Sequence, residues 1–111
     1  MLSGEWILSV ALAKRLGRES RITANALHPG VVSTKVLTEG FGMQGNDTLA
    51  EGARTSVFLA LDASVAGVSG KYFARAKLAP ASAAATDPEL VRAFYLRSAE
   101  LVGIEPLPEV R

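Results

Sequence analysis

The chain has 111 residues, is 49% hydrophobic and carries a formal net charge of +1, which places it among soluble globular chains with room for one domain and not two. Its 12 basic and 11 acidic side chains are interspersed, an arrangement that argues against nucleic acid or an anionic lipid surface as a partner. The absence of cysteine and the single histidine exclude disulfides, thiolate metal sites and histidine-rich metal sites.

A helix is expected first, over residues 3–18. Trp6, Ile7, Leu8, Val10, Ala11, Leu12, Ala13 and Leu16 cover most of its circumference, so it is buried on more than one side. Lys14, Arg15 and Arg18 read as a solvated basic last turn that complements the helix carboxyl end, and the stop is expected between Gly17 and Ser20. The apolar stretch 6–13 is interrupted by Ser9 and falls short of the roughly 20 residues that span a bilayer. No basic residue precedes it, so it is not a signal peptide and a cytoplasmic location is expected.

Residues 21–27 alternate as a strand does, with Ile22, Ala24 and Ala26 on one face and Thr23, Asn25 and Leu27 on the other. The strand stops in His28-Pro29-Gly30, followed by Val31-Val32-Ser33-Thr34. A Pro-Gly turn at a strand's carboxyl end lies where open α/β sheets hold ligands. Beyond it Gly40, Gly42 and Gly45 surround Phe41 and Met43, the composition of a lid with two adaptable apolar side chains.

Thr48-Leu49-Ala50-Glu51 is a capping box that opens a helix through about residue 63, with Leu49, Ala53, Val57, Ala60 and Leu61 as its inward stripe. A second strand is expected over residues 71–74, and the alanine-rich stretch 78–85 reads as a linker. Asp87-Pro88 supplies a cap and a first-turn proline for a helix through about Val102, ended by Gly103, with Leu90, Val91, Phe94, Leu101 and Val102 as its apolar face. The tail from Ile104 carries Pro106 and Pro108 and is expected to be extended or frayed.

These pieces resemble the short-chain dehydrogenase/reductase family, particularly its retinol-dehydrogenase-like branch. The resemblance rests on residues 13–16 at a helix end, 25–34 around the Pro-Gly turn, Glu51-Gly-Ala-Arg-Thr-Ser56 and Val68-Ser-Gly-Lys-Tyr-Phe73, in the family's order and close to its spacing. It implies a single partial domain over residues 1–111, equivalent to the carboxyl-terminal third of a dinucleotide-binding oxidoreductase. The fold class is α/β, a partial Rossmann-like, doubly wound unit with about two parallel strands and three main helices. Two such strands joined through a helix form a right-handed crossover unit and leave both sheet edges without partners.

The resemblance further implies NAD or NADP as cofactor. Pro29 and Gly30 would shape the turn, the backbone of Val31 or Val32 would hydrogen-bond the nicotinamide carboxamide, and Thr34 would contact carboxamide or phosphate. Read from the residues alone, Ser33 and Thr34 serve equally well as caps of a following helix. His28 has no identifiable carboxylate partner and reads as a turn residue rather than a general base. The family's proton transfer uses a Tyr with a Lys four residues later, and neither Tyr72 nor Tyr95 is followed by such a lysine. Aligning the helix end places Leu2 at the Lys position, with the Tyr and the glycine-rich loop before residue 1. No catalytic residue and no metal ligand is therefore assigned. The expectation is a carboxyl-terminal part of an NAD(P)-dependent oxidoreductase for a carbonyl/alcohol pair, inactive alone and binding cofactor weakly or not at all. The alternative is a non-enzymatic interaction module that self-associates, or joins a subunit supplying the missing half, through its first helix and open sheet edge.

Overall fold

The elements run α1 (Ser3–Leu16), β1 (Ala26–His28), α2 (Leu49–Leu61), a 3-10 turn (Ala63–Val65), β2 (Tyr72–Ala74), β3 (Lys77–Ala79), α3 (Ala83–Thr86) and α4 (Pro88–Val102). The structure is a computed structural model that describes residues 3–30, 39–40, 42, 48–80 and 83–109. They gather into two compact units, one of Met1–Ala26, Gly67–Tyr72 and Ala79–Arg111, the other of Leu27–Ala66 and Phe73–Leu78.

In the first unit α1, α3 and α4 pack on one another. Ile7, Ala11 and Arg15 recur every four residues and so share one face of α1, and all three are buried. Val91, Tyr95 and Ala99 do the same on α4. Trp6, Ile7, Ala11, Ala26, Ala85, Val91 and Tyr95 make one core. The indole N–H of Trp6 is buried there without a hydrogen-bond partner among the described residues, a cost of about 1–3 kcal/mol that its apolar burial must offset. The expected apolar face of α4 is thus only partly right. Val91 is inside, but Leu101 and Val102 are exposed, because the facing helices select the narrow Val91, Tyr95, Ala99 row instead.

Both ends of α4 stand where the sequence signals put them. The Asp87 carboxylate accepts from Glu89 N–H and Leu90 N–H at 3.1 and 3.4 Å. Gly103, at φ 72°, donates to Glu100 C=O and Ile104 N–H to Ala99 C=O, which satisfies the last carbonyls. The first helix ends earlier than expected, at Leu16. Gly17 takes φ 73° and donates to Ala13 C=O at 3.1 Å, so the glycine itself is the stop.

Arg15 departs from the solvated-face expectation, whereas Lys14 and Arg18 fulfil it. The Arg15 side chain is 5% exposed and its guanidinium lies 4.2 Å from the centre of the Tyr95 ring. Arg15 Nε donates to Leu107 C=O, and Leu107 N–H donates to the Tyr95 hydroxyl, each at 3.0 Å. Glu109 accepts from Arg92 at 2.7 Å. The tail is therefore extended but not frayed: a buried cation needs acceptors, and the tail backbone supplies one.

In the second unit Thr48 caps α2, its hydroxyl oxygen accepting Glu51 N–H at 3.2 Å. The helix stops at Leu61 rather than 63, because the Asp62 carboxylate caps the 3-10 turn through Ser64 N–H and Ser64 Oγ. The expected inward stripe is overturned, since Leu49, Ala53, Val57, Ala60 and Leu61 are not buried, and Leu49, Val57 and Leu61 are fully on the outside. Gly52 and Thr55 are buried in their place. A polar tether chooses this face: Thr55 Oγ1 accepts Ala76 N–H at 2.9 Å, and the Phe58 ring meets Phe73 with centroids 6.2 Å apart.

The sheet has three strands in the order β1-β2-β3, with β1 and β2 parallel. The partial α/β unit with two parallel strands and three main helices is present, and β3 is added to it. Residues 78–85 are thus not a linker, for they hold the end of β3 and most of α3. Since β3 pairs with β2, β2 is central, and β1 and β3 are the two edge strands among the described residues. The β2–β3 hairpin turns on Arg75 and Ala76 at φ 51° and 57°. Two positive φ values match the twist of a two-residue hairpin, but each costs a non-glycine residue about 1–2 kcal/mol.

β1 begins at Ala26 instead of residue 21 because side chains replace the ladder before it. Asn25 Nδ2 donates to Val68 C=O at 2.8 Å, and Lys71 N–H donates to Asn25 Oδ1 at 3.1 Å. Ala24 N–H donates to Ser69 Oγ at 3.0 Å. Backbone bonds from Gly70 N–H to Ala24 C=O and from Ala26 N–H to Lys71 C=O complete the seam, at 2.7 and 2.9 Å.

Tyr95→Phe keeps the ring under Arg15 but removes the acceptor for Leu107 N–H, and is expected to lower stability by about 1 kcal/mol. Limited proteolysis should then cut the chain after Gly103 faster than in the parent protein. Unchanged cleavage would show that the tail is held by other contacts.

Candidate functional site at the carboxyl edge of the parallel strands

Parallel pairing fixes where the two strands end. With Ala26 bonded to Lys71 and Ala24 to Gly70, Pro29 and Gly30 follow β1 at the edge where Arg75 and Ala76 follow β2. Neighbouring strands are about 5 Å apart, so β1 and β2 end side by side at one edge of the sheet. Proline closes the strand because it has no N–H to continue a ladder. Gly30 takes φ 92°, a region that L side chains avoid. Pro29 is exposed and Gly30 half-buried, and His28, the last residue of β1, is exposed beside them.

Of the expected cofactor residues, Pro29 and Gly30 therefore sit at a strand's carboxyl end. Val31, Val32 and Thr34 lie outside the described residues, as do Ser33 and the lid residues Phe41 and Met43. Thr55, Arg75 and Ala76, which stand beside this edge, carry no clear signal in the sequence. A buried threonine on an apolar helix carries no distinctive signal, and a two-residue hairpin usually announces itself as Asn-Gly, not Arg-Ala.

Both tyrosines have structural partners. Tyr95 accepts from Leu107 N–H, and Tyr72 stacks on Trp6 with ring centroids 4.1 Å apart and planes 24° off parallel. Burial pushes the Tyr72 hydroxyl above the ordinary phenol value, the opposite of what a proton donor working at neutral pH requires. Among the described residues no three metal-ligating side chains cluster, and no helix is long and apolar enough to cross a membrane.

Known proteins are similar to this sequence over most of its length. The chain is similar to retinol dehydrogenase 13 of Homo sapiens, with 37% identity over 92% of this chain and 36% of that protein. It matches retinol dehydrogenase 14 of Mus musculus at 34% identity over 84% of this chain and 31% of that protein. The chloroplastic short-chain dehydrogenase TIC 32 B of Brassica napus is 32% identical over 88% of this chain and 34% of its own length. The chain belongs to the short-chain dehydrogenase/reductase family, in its retinol-dehydrogenase-like branch. It spans about a third of the length of these short-chain dehydrogenase/reductase relatives. No family model and no solved structure matches it.

The raised Tyr72 value has a measurable consequence. Its proton is held more tightly in the folded chain, so the stabilisation is complete below the free phenol's titration near 10.0 and is lost as pH rises through the folded value. The melting temperature should fall above about pH 10, and Tyr72→Phe should lessen that fall. An equal fall in both proteins would contradict the assignment.

Proposed function

We propose that the chain carries the nicotinamide-binding edge of an NAD(P)-dependent short-chain oxidoreductase that acts on a carbonyl/alcohol pair, and that it corresponds to the carboxyl-terminal third of such an enzyme. The observation that carries the reading is Gly30, at φ 92° just past β1, in a chain homologous to retinol dehydrogenases. The turn fits the group proposed for it. Without a Cβ at Gly30 and without an N–H at Pro29, the backbone can turn close to a flat amide and hold its donor and acceptor. Pro29 and Gly30 shape that turn, Val31 or Val32 supplies backbone groups to the carboxamide, and Thr34 adds a hydroxyl. The bound nicotinamide would give or accept a hydride.

These 111 residues supply orientation and no proton relay. The residue four places after Tyr72 is Ala76, and after Tyr95 it is Ala99. The chain's own part in the reaction is thus to fix which face of the ring meets the substrate. A second reading, pairing with another copy or with a subunit that completes the sheet, is supported by the open edge of β1 and by the exposed row Leu49, Val57 and Leu61 on α2.

Titration of the 111-residue chain with NAD or NADP, followed by amide resonances, tests the first reading. Shifts centred on Gly30 are expected, with half-saturation in the millimolar range, on the order of 4 kcal/mol of binding. Gly30→Val should abolish them. Shifts that spare Gly30, or no response at about 10 mM, would refute it.

A further inference from the structure

Arg75 stands in a backbone conformation costly for its type, at φ 51°, beside a second such residue, Ala76 at φ 57°. Positive φ at non-glycine residues gathers at ligand sites, where surrounding structure holds it in place. Here the holder is identifiable: Thr55, 3% exposed, fixes Ala76 N–H through its hydroxyl at 2.9 Å. The turn is therefore anchored from the buried face of α2, while Arg75 itself is exposed. Arg75 and Pro29 each directly follow the last residue of their strand, β2 and β1, which end at the same edge of the sheet.

The turn itself is basic, although Glu51 lies one helical turn before Thr55 on α2. Arg54 precedes Thr55 on α2, Lys77 opens β3, and no acidic residue occurs between Phe73 and Leu78. Among the described residues, the ion pairs involve Arg15, Arg92 and Arg97, all in the first unit, and none involves Arg54, Arg75 or Lys77. A guanidinium is a fork of donors suited to a carboxylate or phosphate. We propose that Arg75, at the same sheet edge as the Pro29-Gly30 turn, binds an anionic group on the carbonyl or alcohol substrate. The substrates favoured are then acidic rather than wholly neutral. This rests on the reading of the edge as a nicotinamide site, and adds the substrate class to it.

Two aldehydes that differ by one charge provide the test: 4-formylbenzoate and benzaldehyde, titrated into the full 111-residue chain with amide resonances as the readout. The carboxylate probe should shift Arg75, Ala76 and Gly30 and half-saturate at a concentration about three- to five-fold lower than benzaldehyde, the scale of an exposed charge pair. Arg75→Asn should erase that difference, because asparagine accepts positive φ and leaves the turn intact. Arg92→Gln, in the first unit, should leave it unchanged. Equal responses to the two probes, including none to either, would overturn the proposal, as would a preference that survives Arg75→Asn. A parallel titration with NAD separates the two claims. Shifts at Gly30 with NAD but no preference between aldehydes would sink the anion site alone. A preference between aldehydes without any NAD response would sink the nicotinamide reading.

Discussion

The amide side chain of Asn25 is the contact on which the site depends. It occupies both roles of a missing peptide group, accepting from Lys71 N–H and donating to Val68 C=O. The bonds that follow, from Ala26 to Lys71 and from Gly70 to Ala24, are the first rungs that align β1 with β2. Gly70 can sit there because it takes φ 74° and because a Cβ on it would come within 3.2 Å of Ala13 Cβ. Once those rungs exist, the level at which β1 and β2 end is set. Pro29-Gly30 and Arg75-Ala76 then share one edge without needing a contact between them.

A second constraint is the burial of charge in so small a core. Arg15 lies under the tail with the Tyr95 ring against its guanidinium and the Leu107 carbonyl on Nε. Taking either partner away leaves a buried cation with Glu109, 3.7 Å away, as its remaining charged partner, which is more costly than the loss of one surface pair. Polar groups also decide helix orientation in the second unit. Thr55 turns its side of α2 inward to reach Ala76, and the apolar row at Leu49, Val57 and Leu61 is left facing out.

Local signals in the sequence were legible where one residue type has one physical use. Thr48, Asp87-Pro88 and Gly103 mark helix ends through caps and through φ, and the helices begin or end there. Pro29-Gly30 marked the close of a strand for the same reason. What escaped was decided by tertiary partners. The five-residue overhang of the expected first strand, residues 21–25 ahead of Ala26, arose because alternation alone cannot distinguish a backbone ladder from the Asn25 and Ser69 side-chain bonds that replace it. The β3 strand escaped because Arg75-Ala76 lacks turn chemistry. The inward faces of α2 and α4 were misjudged because a count of apolar residues overlooks Gly52, Thr55 and Tyr95, which pack by size and by hydrogen bonding. Of the site, the turn residues were legible, whereas Thr55 and Arg75 become visible only when the strands are aligned.

The proposed nicotinamide edge rests on the homology to retinol dehydrogenases and on the alignment of β1 with β2. Amide hydrogen exchange on Asn25→Ala probes it most directly. Protection at Ala26 and Gly70 should be lost, while Ile7, Ala11 and Val91 in the helical core keep theirs. Unaltered protection at Ala26 and Gly70 would mean that the two strands align without Asn25, and the edge would then owe its geometry to some other contact.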